Sequence, residues 1–310
     1  MSQKIFIDGE AGTTGLQIRE RLADRSDLEL LKIPNEKRKD IATREELLNE
    51  ADIAILCLPD EAARQSVSLI TNSNTRVIDA SSAFRVHGDW AYGFPEMHKD
   101  QSKNIAQAMR VSNPGCYPQG PIVFLAPLIR AGLISADMPI SVNAISGYSG
   151  GGRQMIESYE AMGESAPVYS PYALDFNHKH LPEMTLYCGL NTSPVFQPAV
   201  GNYAQGMMSM IPLNLGQLTN APKGKDIHQA IGEHLAQIAD GYVELMEFEA
   251  GQKLGDLNPQ SLNNTNRMQL YVFGNDDRAQ ALLVAVYDNL GKGASGAAVQ
   301  NLDLMLGNSH

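Results

Sequence analysis

The stretch that decides the fold is K-I-F-I-D-G-E-A-G-T-T-G, residues 4–15, near the start of a chain of 310 residues. Its first half is rich in β-branched and aromatic residues and predicts a buried strand. Its second half carries Gly9, Gly12 and Gly15, and L-Q-I-R-E-R-L-A-D-R follows with apolar residues at helical spacing. Glycine lets the backbone turn sharply at such a junction, so that a phosphate can rest on the helix N-terminus. The stretch therefore predicts a strand, a nucleotide-binding loop and a helix, a plain tight turn being the alternative.

Strand and helix patterns alternate outward from this loop through about 110 residues, which is typical of a parallel sheet with helices on both faces. Further strands are predicted at 28–34, 51–59 and 76–82, and helices at 43–50, with Thr43 and Glu46 as a capping box, and 61–70. After Cys116 the pattern changes to longer strands between Gly- and Pro-rich loops, at 139–146, 206–213, 267–273 and 281–287. We therefore predict an α/β protein with a Rossmann-type parallel-sheet domain and a second, α+β domain with a mixed sheet.

The composition and charge of the chain argue against several classes of binding partner. The formal net charge of −11 suggests no general affinity for nucleic acid or for an anionic membrane surface. No apolar run reaches the roughly 18 residues that a membrane-spanning helix needs. The N-terminus enters a strand at once, and three cysteines at irregular spacing do not form a disulfide framework. We expect a cytoplasmic protein that acts on a small molecule.

The nucleotide is predicted to be NADP. The glycine spacing is G-x-x-G-x-x-G instead of the usual G-x-G-x-x-G, but the same role is possible, and Thr13 and Thr14 add hydroxyl donors. An acidic residue after the second strand would bind the ribose hydroxyls of NAD. Here P-N-E-K-R-K-D, residues 34–40, contains Glu36 but also three adjacent cations, Lys37, Arg38 and Lys39. These cations suit a 2′-phosphate, although a solvated charged turn is the alternative.

The stretch S-N-P-G-C-Y-P-Q-G, residues 112–120, places a cysteine between a tight turn and the start of an apolar helix. The backbone N–H groups and positive dipole end at a helix start favour thiolate over thiol. We therefore predict that Cys116 is a nucleophile, a buried structural cysteine being the alternative. Cys57 and Cys188 lie in apolar, strand-like runs, where free cysteine packs as a small hydrophobe.

A nucleophilic thiol needs an acid–base partner. The segment F-N-H-K-H-L-P-E, residues 176–183, holds His178 and His180, which would share a face if the segment is extended. We prefer His180 as the acid–base group. These histidines could form a metal site with Glu183 and Cys188, but no further ligands recur at metal-like spacing, so we expect none.

In order along the chain, these motifs resemble the N-acetyl-γ-glutamyl-phosphate reductases of the shorter variety, within the wider aspartate-semialdehyde dehydrogenase-like group. The resemblance covers nearly the whole chain and rests on G-E-A-G-T-T-G (9–15), D-A-S-S-A-F-R (79–85), Y-G-F-P-E (92–96), S-N-P-G-C-Y-P (112–118), S-G-Y-S-G-G-G-R (146–153), H-K-H-L-P-E (178–183) and D-N-L-G-K-G-A-S-G-A-A-V-Q-N-L (288–302). The departures concern loop detail: Glu10 and Thr13 are unusual against the longer variety, and Lys179 stands where Arg is usual. The resemblance implies a dinucleotide-binding domain of residues 1–115 and 288–310 and a catalytic and oligomerisation domain of residues 116–287.

The resemblance also implies a reaction, the NADPH-dependent reduction of an acyl phosphate to an aldehyde in arginine biosynthesis. Cys116 would form a thioester, with His180 as acid–base group and Glu183 orienting it. Arg85 would bind the leaving phosphate, a surface Arg paired with Asp89 being the alternative. The other expected contacts are Arg153, Ser149 and Asn113 for the substrate, and Ser81 and Asn289 for the cofactor.

Three alternative functions stay open. Aspartate-semialdehyde dehydrogenase shares this chemistry on a smaller substrate, although N-P-G-C-Y-P and H-K-H-L-P-E favour the glutamyl enzyme. An enzyme that oxidises an aldehyde with phosphate, as glyceraldehyde-3-phosphate dehydrogenase does, is disfavoured by the cations at 37–39. A non-catalytic NADP-binding sensor would keep the glycine loop but would not need a thiol at a helix start. We expect a homo-oligomer, dimer or tetramer, because apolar strands of the second domain can cover one another between subunits.

Overall fold

The computed structural model describes residues 2–238 and 241–308, which fall into two compact units. The first unit contains residues 2–94, 102–114 and 294–308, and the second contains Pro95–Gln101 and Gly115–Gly293. The chain was expected to return to the dinucleotide domain at residue 288, and in the structure it re-enters the first unit at Ala294. Residues 1, 309 and 310 of the expected domain lie outside the described residues.

The elements follow the chain in this order. The strands are β1 (Gln3–Asp8), β2 (Leu28–Leu31), β3 (Ile53–Leu56), β4 (Arg76–Asp79), β5 (Ala91–Tyr92), β6 (Arg110–Ser112), β7 (Ser141–Gly147), β8 (Tyr169–Pro171), β9 (Val195–Gly201), β10 (Met207–Asn214), β11 (Val243–Leu245), β12 (Met268–Asn275) and β13 (Gln280–Tyr287). The helices are α1 (Thr13–Leu22), α2 (Ile41–Glu50), α3 (Asp60–Leu69), α4 (Gln101–Gln107), α5 (Gln119–Arg130), α6 (Gly152–Met162), α7 (Leu181–Cys188), α8 (Gly224–Leu235) and α9 (Gly296–Leu306). A stretch of π-helix, Gly291–Ser295, leads into α9.

The first unit is built on a parallel sheet in the order β2-β1-β3-β4-β6-β5, as predicted. Ile5 and Ile7 of β1 belong to an apolar cluster shared with α1 and α9, and Phe6 between them belongs to a second cluster shared with α2 and α3. Successive residues of a strand point to opposite faces, so these clusters cover the two sides of the sheet. Strand β1 lies between β2 and β3, so the connections that follow β1 and β2 run in opposite directions along the sheet. Such a switch point leaves a crevice for a ligand at the carboxyl ends of β1 and β3.

The second unit is built on the mixed sheet that the sequence predicts, in the order β11-β12-β13-β10-β7-β9-β8. Its pairs are antiparallel except β7–β9 and β11–β12. Helix α5 is buried from Gln119 to Leu128, because its sequence is apolar on nearly every side. Among the described residues, no helix combines the length and the apolar character that crossing a membrane requires.

Three local expectations differ from the structure. Helix α2 begins before Thr43 and is capped by Asp40, whose carboxylate accepts a hydrogen bond from the Thr43 N–H at 2.8 Å. The strand expected around Cys188 is wrong: Cys188 closes α7, which has Pro182 in its first turn and ends at Gly189 with φ of 83°. Proline at a helix start and left-handed glycine after its end are helix signals that here outweigh β-propensity. The third concerns the histidine segment: residues 179–180 form a turn before α7, so the extended backbone that would place His178 and His180 on one face is not found.

Candidate functional site

The glycine loop joins β1 to α1 with the main chain packed closely against itself. Gly9 has φ of 89°, which glycine adopts without strain, and a Cβ at this position would lie 2.4 Å from the Cys57 carbonyl oxygen. A Cβ on Gly15 would lie 2.6 Å from the Gly9 carbonyl oxygen. Helix α1 begins at Thr13, so Thr13 and Thr14 lie in its first turn. The loop therefore leaves the helix N-terminus open to an anion.

A cavity of about 320 Å³ lies beside this loop within the first unit. Its lining includes Arg38, Lys39 and Arg44, of which Arg44 is committed to Asp8 by an Nη2–Oδ2 contact of 2.9 Å. Lys37 ends a short 3₁₀ turn, Asn35–Lys37, and lies outside the lining. Of the three cations expected at the 2′-phosphate, Arg38 and Lys39 thus line the cavity and Lys37 does not.

Glu10, unusual in the sequence, holds two cations at the edge of this cavity. Its side chain is 11% exposed and accepts from Arg19 Nη1 and Arg38 Nη2, each at 3.3 Å. One carboxylate between two guanidinium groups leaves the cluster with a net positive charge. A positive cluster attracts the charged 2′-phosphate of NADP more strongly than it attracts the neutral 2′-hydroxyl of NAD.

The segment after β4 collects buried polar groups. Ser81 Oγ donates to Asp79 Oδ2 at 2.6 Å, and burial raises the pKa of Asp79 to about 6, against the opposing effect of that hydrogen bond. Arg85 is buried, with Nε donating to the Asn113 carbonyl oxygen at 3.0 Å and Nη2 to another main-chain carbonyl at 3.1 Å. The alternative of a surface Arg85 paired with Asp89 is therefore wrong.

Asn113 fixes the end of β6 to distant parts of the first unit. Its N–H donates to the Asp79 carbonyl oxygen at 2.7 Å, and its Nδ2 donates to the Ala294 carbonyl oxygen at 3.0 Å. Its Oδ1 accepts from Asn301 Nδ2 at 3.0 Å. The side chain thus anchors the segment that leads to Cys116, and Asn301 is a partner that the sequence analysis did not identify.

Cys116 is half-buried in the turn immediately before α5, as the sequence predicts. Its carbonyl oxygen accepts a hydrogen bond from the Tyr287 hydroxyl at 2.7 Å. The N–H of the preceding residue, Gly115, donates to Glu183 Oε2 at 2.9 Å. The turn is therefore held by Tyr287 of β13 and by Glu183 of α7, and Cys116 precedes the N-terminus of α5, the positive end of the helix dipole.

A cluster of rings connects this turn to the histidine pair. The Tyr117 ring centroid lies 5.9 Å from that of His180 and 5.8 Å from that of His178. The two imidazole centroids are 4.7 Å apart, and the main-chain N–H of His180 donates to His178 Nδ1 at 3.1 Å. The Tyr172 hydroxyl donates to the Tyr117 hydroxyl at 3.3 Å and lies 3.3 Å from His178 Nε2. Burial raises the pKa of Tyr172 to about 12 and also raises the pKa of Tyr117, so both phenols stay neutral near pH 7.

The remaining expected contacts lie in the second unit. Asn289 Nδ2 donates to Ser149 Oγ at 3.0 Å, and its Oδ1 accepts from the Gly206 N–H at 2.7 Å. Arg153 is exposed in the first turn of α6. Among the residues that the structure describes, no three His, Cys, Asp or Glu side chains are grouped so as to hold a metal ion.

The expected site residues thus form two sets, one in each unit. Those of the first unit are Gly9, Gly12, Thr13, Thr14, Gly15, Lys37, Arg38, Ser81, Arg85 and Asn113. Those of the second unit are Cys116, Ser149, Arg153, His180 and Asn289. Tyr117 belongs to the motif S-N-P-G-C-Y-P but had no predicted role, whereas Tyr172 carried no signal in the sequence.

Two family models match this chain. One is described as semialdehyde dehydrogenase, NAD binding domain, over residues 4–105, and the other as semialdehyde dehydrogenase, dimerisation domain, over residues 116–289. Among curated relatives, the N-acetyl-γ-glutamyl-phosphate reductase of Chelativorans sp. (strain BNC1) is 64% identical over 306 residues, covering 99% of each chain. The protein of the same name from Mesorhizobium japonicum is 61% identical over 307 residues, covering 99% of this chain and 100% of its own.

Solved structures with low sequence identity share the fold. Aspartate semialdehyde dehydrogenase II from Vibrio cholerae has a TM-score of 0.75 at 18% identity, covering 99% of both chains. Aspartate semialdehyde dehydrogenase with NADP from Candida albicans has a TM-score of 0.65 at 13% identity, covering 99% of both chains. At such identities the likeness bears on fold alone, whereas the relatives above 60% bear on the choice of substrate.

Proposed function

This chain belongs to the N-acetyl-γ-glutamyl-phosphate reductase family, and we propose that it carries out the family's reaction through a thioester on Cys116. The reaction is the NADPH-dependent reduction of N-acetyl-γ-glutamyl phosphate to N-acetylglutamate 5-semialdehyde and phosphate, a step of arginine biosynthesis. The observation that supports the proposed site is the position of Cys116 in the turn before α5, with Tyr117 packed against the histidine pair.

The residues of the first unit fit NADP. Gly9 and Gly15 keep the loop clear of side chains, so that a pyrophosphate can approach the N-terminus of α1. Arg38 and Lys39, which line the adjacent cavity, would hold the 2′-phosphate. When bound, NADPH supplies the hydride that converts the thioester to a thiohemiacetal.

Cys116 and His180 perform the covalent steps. The Cys116 thiolate attacks the acyl carbon, the C–S bond forms, and the C–O bond to phosphate breaks as inorganic phosphate leaves. After reduction the C–S bond breaks, the electron pair returns to sulfur, and the aldehyde is released. His180 donates and then recovers the proton at the thiohemiacetal oxygen, a role typically worth about 10²–10⁴-fold in rate.

Cationic side chains bind the anionic substrate in this proposal. Arg85 takes the leaving phosphate, because a planar guanidinium can grip phosphate through two parallel hydrogen bonds. Arg153 takes the substrate carboxylate or its phosphate, and Ser149 and Asn113 supply polar contacts near these motifs.

The test is NADP⁺ reduction in the reverse direction, with N-acetylglutamate semialdehyde and phosphate as substrates and aspartate semialdehyde as the comparison. We expect activity with the first substrate, its loss in Cys116→Ser, and its retention in the matched control Cys188→Ala. Activity with aspartate semialdehyde alone would overturn the substrate assignment. Full activity of Cys116→Ser would overturn the thioester.

We also propose that a second copy of the chain covers one face of the second sheet. That face carries an apolar cluster whose partly buried members are Ile145, Met210, Leu257, Tyr271, Phe273 and Leu282. The match to a family model described as a dimerisation domain supports this proposal. Light scattering should give a dimer or tetramer, and Leu282→Glu should give a smaller species. We also propose a cytoplasmic location, because free thiols such as that of Cys116 are kept reduced there.

A further inference from the structure

A fully buried ion pair lies in the second unit and has no part in the proposed chemistry. Lys292 Nζ lies 2.7 Å from Glu96 Oε1, and both side chains are 0% exposed. Both residues fall in motifs that carry the family resemblance, Y-G-F-P-E and D-N-L-G-K-G, and neither has a predicted role. Taking two charges out of water is costly, so such a pair is weak evidence of a purely stabilising role.

Glu96 is held in place from two further directions. Its Oε1 also accepts a hydrogen bond from the Tyr242 N–H at 3.0 Å. Its carbonyl oxygen lies 2.9 Å from His234 Nε2, on α8. The Lys292 ammonium additionally lies 5.8 Å from the centroid of the Tyr242 ring. Glu96 is therefore a fixed point to which the Lys292 side chain is tied.

The main chain of Lys292 and its neighbour contacts the nucleophile turn directly. Gln119 Nε2 donates to the Lys292 carbonyl oxygen at 2.8 Å and also reaches the Gly115 carbonyl oxygen at 3.4 Å. One amide group can donate to both, so Gln119 links the main chain at Lys292 to the residue that precedes Cys116. A Cβ on Gly293 would lie 2.9 Å from Cys116 Cβ, which shows how closely the backbone packs against the cysteine.

We propose that the Glu96–Lys292 pair is a positioning device for Cys116: it fixes the main chain of residues 292–293, against which the nucleophile packs, and Gln119 transmits that position to the turn. Glu96, Lys292 and Gln119 are positioning residues and do not touch the reacting atoms. The inference rests on the proposed role of Cys116 as nucleophile. A displacement of about 1 Å at a reacting group can cost about 10²-fold in rate, so loss of the tether should be visible in kcat.

The main test is the double variant Glu96→Gln/Lys292→Met. It removes both charges at nearly constant volume and keeps an oxygen acceptor for the Tyr242 N–H, so we expect it to fold. We expect kcat to fall about 10²-fold, while the KM for NADPH, which binds to the other unit, stays within about twofold. We also expect slower alkylation of Cys116 by iodoacetamide at pH 7, because the thiol leaves the amide dipoles that favour thiolate.

Two further variants complete the design. Gln119→Met breaks the link to the turn and leaves the ion pair intact, so it should reproduce the loss of kcat and the slower alkylation. Glu244→Gln is the control: it removes the exposed ion pair between Glu244 and Arg267 in the same unit and should change neither kcat nor the alkylation rate.

Two results would overturn the inference. One is a folded double variant whose kcat and alkylation rate both match the wild type, whatever its melting temperature. If the double variant does not fold, the same result for folded Gln119→Met overturns it. Activity that survives in Cys116→Ser would overturn the proposed thioester instead. The alkylation rate of Cys116 in the other variants would still show whether the Glu96–Lys292 pair positions the cysteine.

Discussion

Replacing Asp79 with Asn is expected to stabilise the first unit strongly at pH 7.5 and to change little near pH 4. Asp79 is fully buried at the end of β4, where Oδ2 accepts from Ser81 Oγ at 2.6 Å. Oδ1 is a buried atom with no hydrogen-bond partner among the described residues. Asn can keep the acceptor for Ser81 and carries no charge, so it mimics the protonated acid.

The size of the effect follows from the shift in pKa. Burial raises the pKa of Asp79 from 3.8 to about 6. At about 1.36 kcal/mol per pKa unit, this shift corresponds to roughly 3 kcal/mol. Because the folded-state pKa is the raised one, the stabilising contribution of the bound proton is complete below pH 3.8 and is lost as the pH rises through 6. Above pH 7 the wild type therefore carries a penalty that Asp79→Asn does not.

Urea unfolding at pH 4 and at pH 7.5, followed by tryptophan fluorescence, measures this difference. The chain has one tryptophan, Trp90, which is buried in the first unit and stacked on Phe84 at 4.2 Å between ring centroids. The signal therefore reports on the unit that holds Asp79. Asp89→Asn is the control, because that carboxylate is 92% exposed in the same unit. An equal gain at both pH values would refute the reasoning, because the effect would not depend on the charge of Asp79. A less stable Asp79→Asn at pH 7.5 would also refute it and would mean that Ser81 and Arg85 outweigh the cost of burial.

Three further outcomes follow from the site. Arg38→Ala should raise the KM for NADPH about tenfold or more and leave the KM for NADH unchanged, since a charge-assisted hydrogen bond is worth about 1.5–3 kcal/mol; steady-state kinetics with both cofactors decide this. Gly15→Ala should abolish NADPH binding in calorimetry, because its Cβ would lie 2.6 Å from a main-chain oxygen of the loop, whereas Gly88→Ala meets no atom within 4 Å and should bind normally. Glu183→Ala should lower kcat at unchanged KM because the Gly115 N–H loses its acceptor at 2.9 Å, and Glu183→Gln should restore most of it; equal losses in both variants would contradict this.

The parallel sheet and its loop could be predicted because their signals are local. The apolar run that becomes β1 and the glycines after it specify a strand, a turn and a helix start within residues 4–15. The Cys116 turn is equally local, because Asn-Pro-Gly sets the turn and the apolar run beyond it forms α5. In both places the residue types leave few alternatives to the observed backbone.

The partners of these segments could not be predicted because they come from far along the chain. Asn113 meets Asn301, and Gly115 meets Glu183, without any spacing pattern that would connect them. Glu183 shows what the sequence leaves out: its role towards His180 stays a prediction, whereas the hydrogen bond that its Oε2 accepts from the Gly115 N–H was not predicted. A motif identifies a residue as special, but the topology decides which group it contacts.

The local charge at the glycine loop differs from the net charge of the chain. A net charge of −11 argues against phosphate binding if the chain is treated as one uniform surface. Three cationic and two acidic side chains stand among the described residues that line the cavity at the glycine loop: Arg38, Lys39, Arg44, Asp8 and Glu10. The local sum is therefore positive, and at physiological ionic strength screening acts over about 8 Å, so this local sum governs a bound phosphate more than distant surface carboxylates do. The run of cations after β2 predicted phosphate binding because it stands out from the acidic composition of the chain. The distant carboxylates are screened and do not cancel its attraction for a bound phosphate.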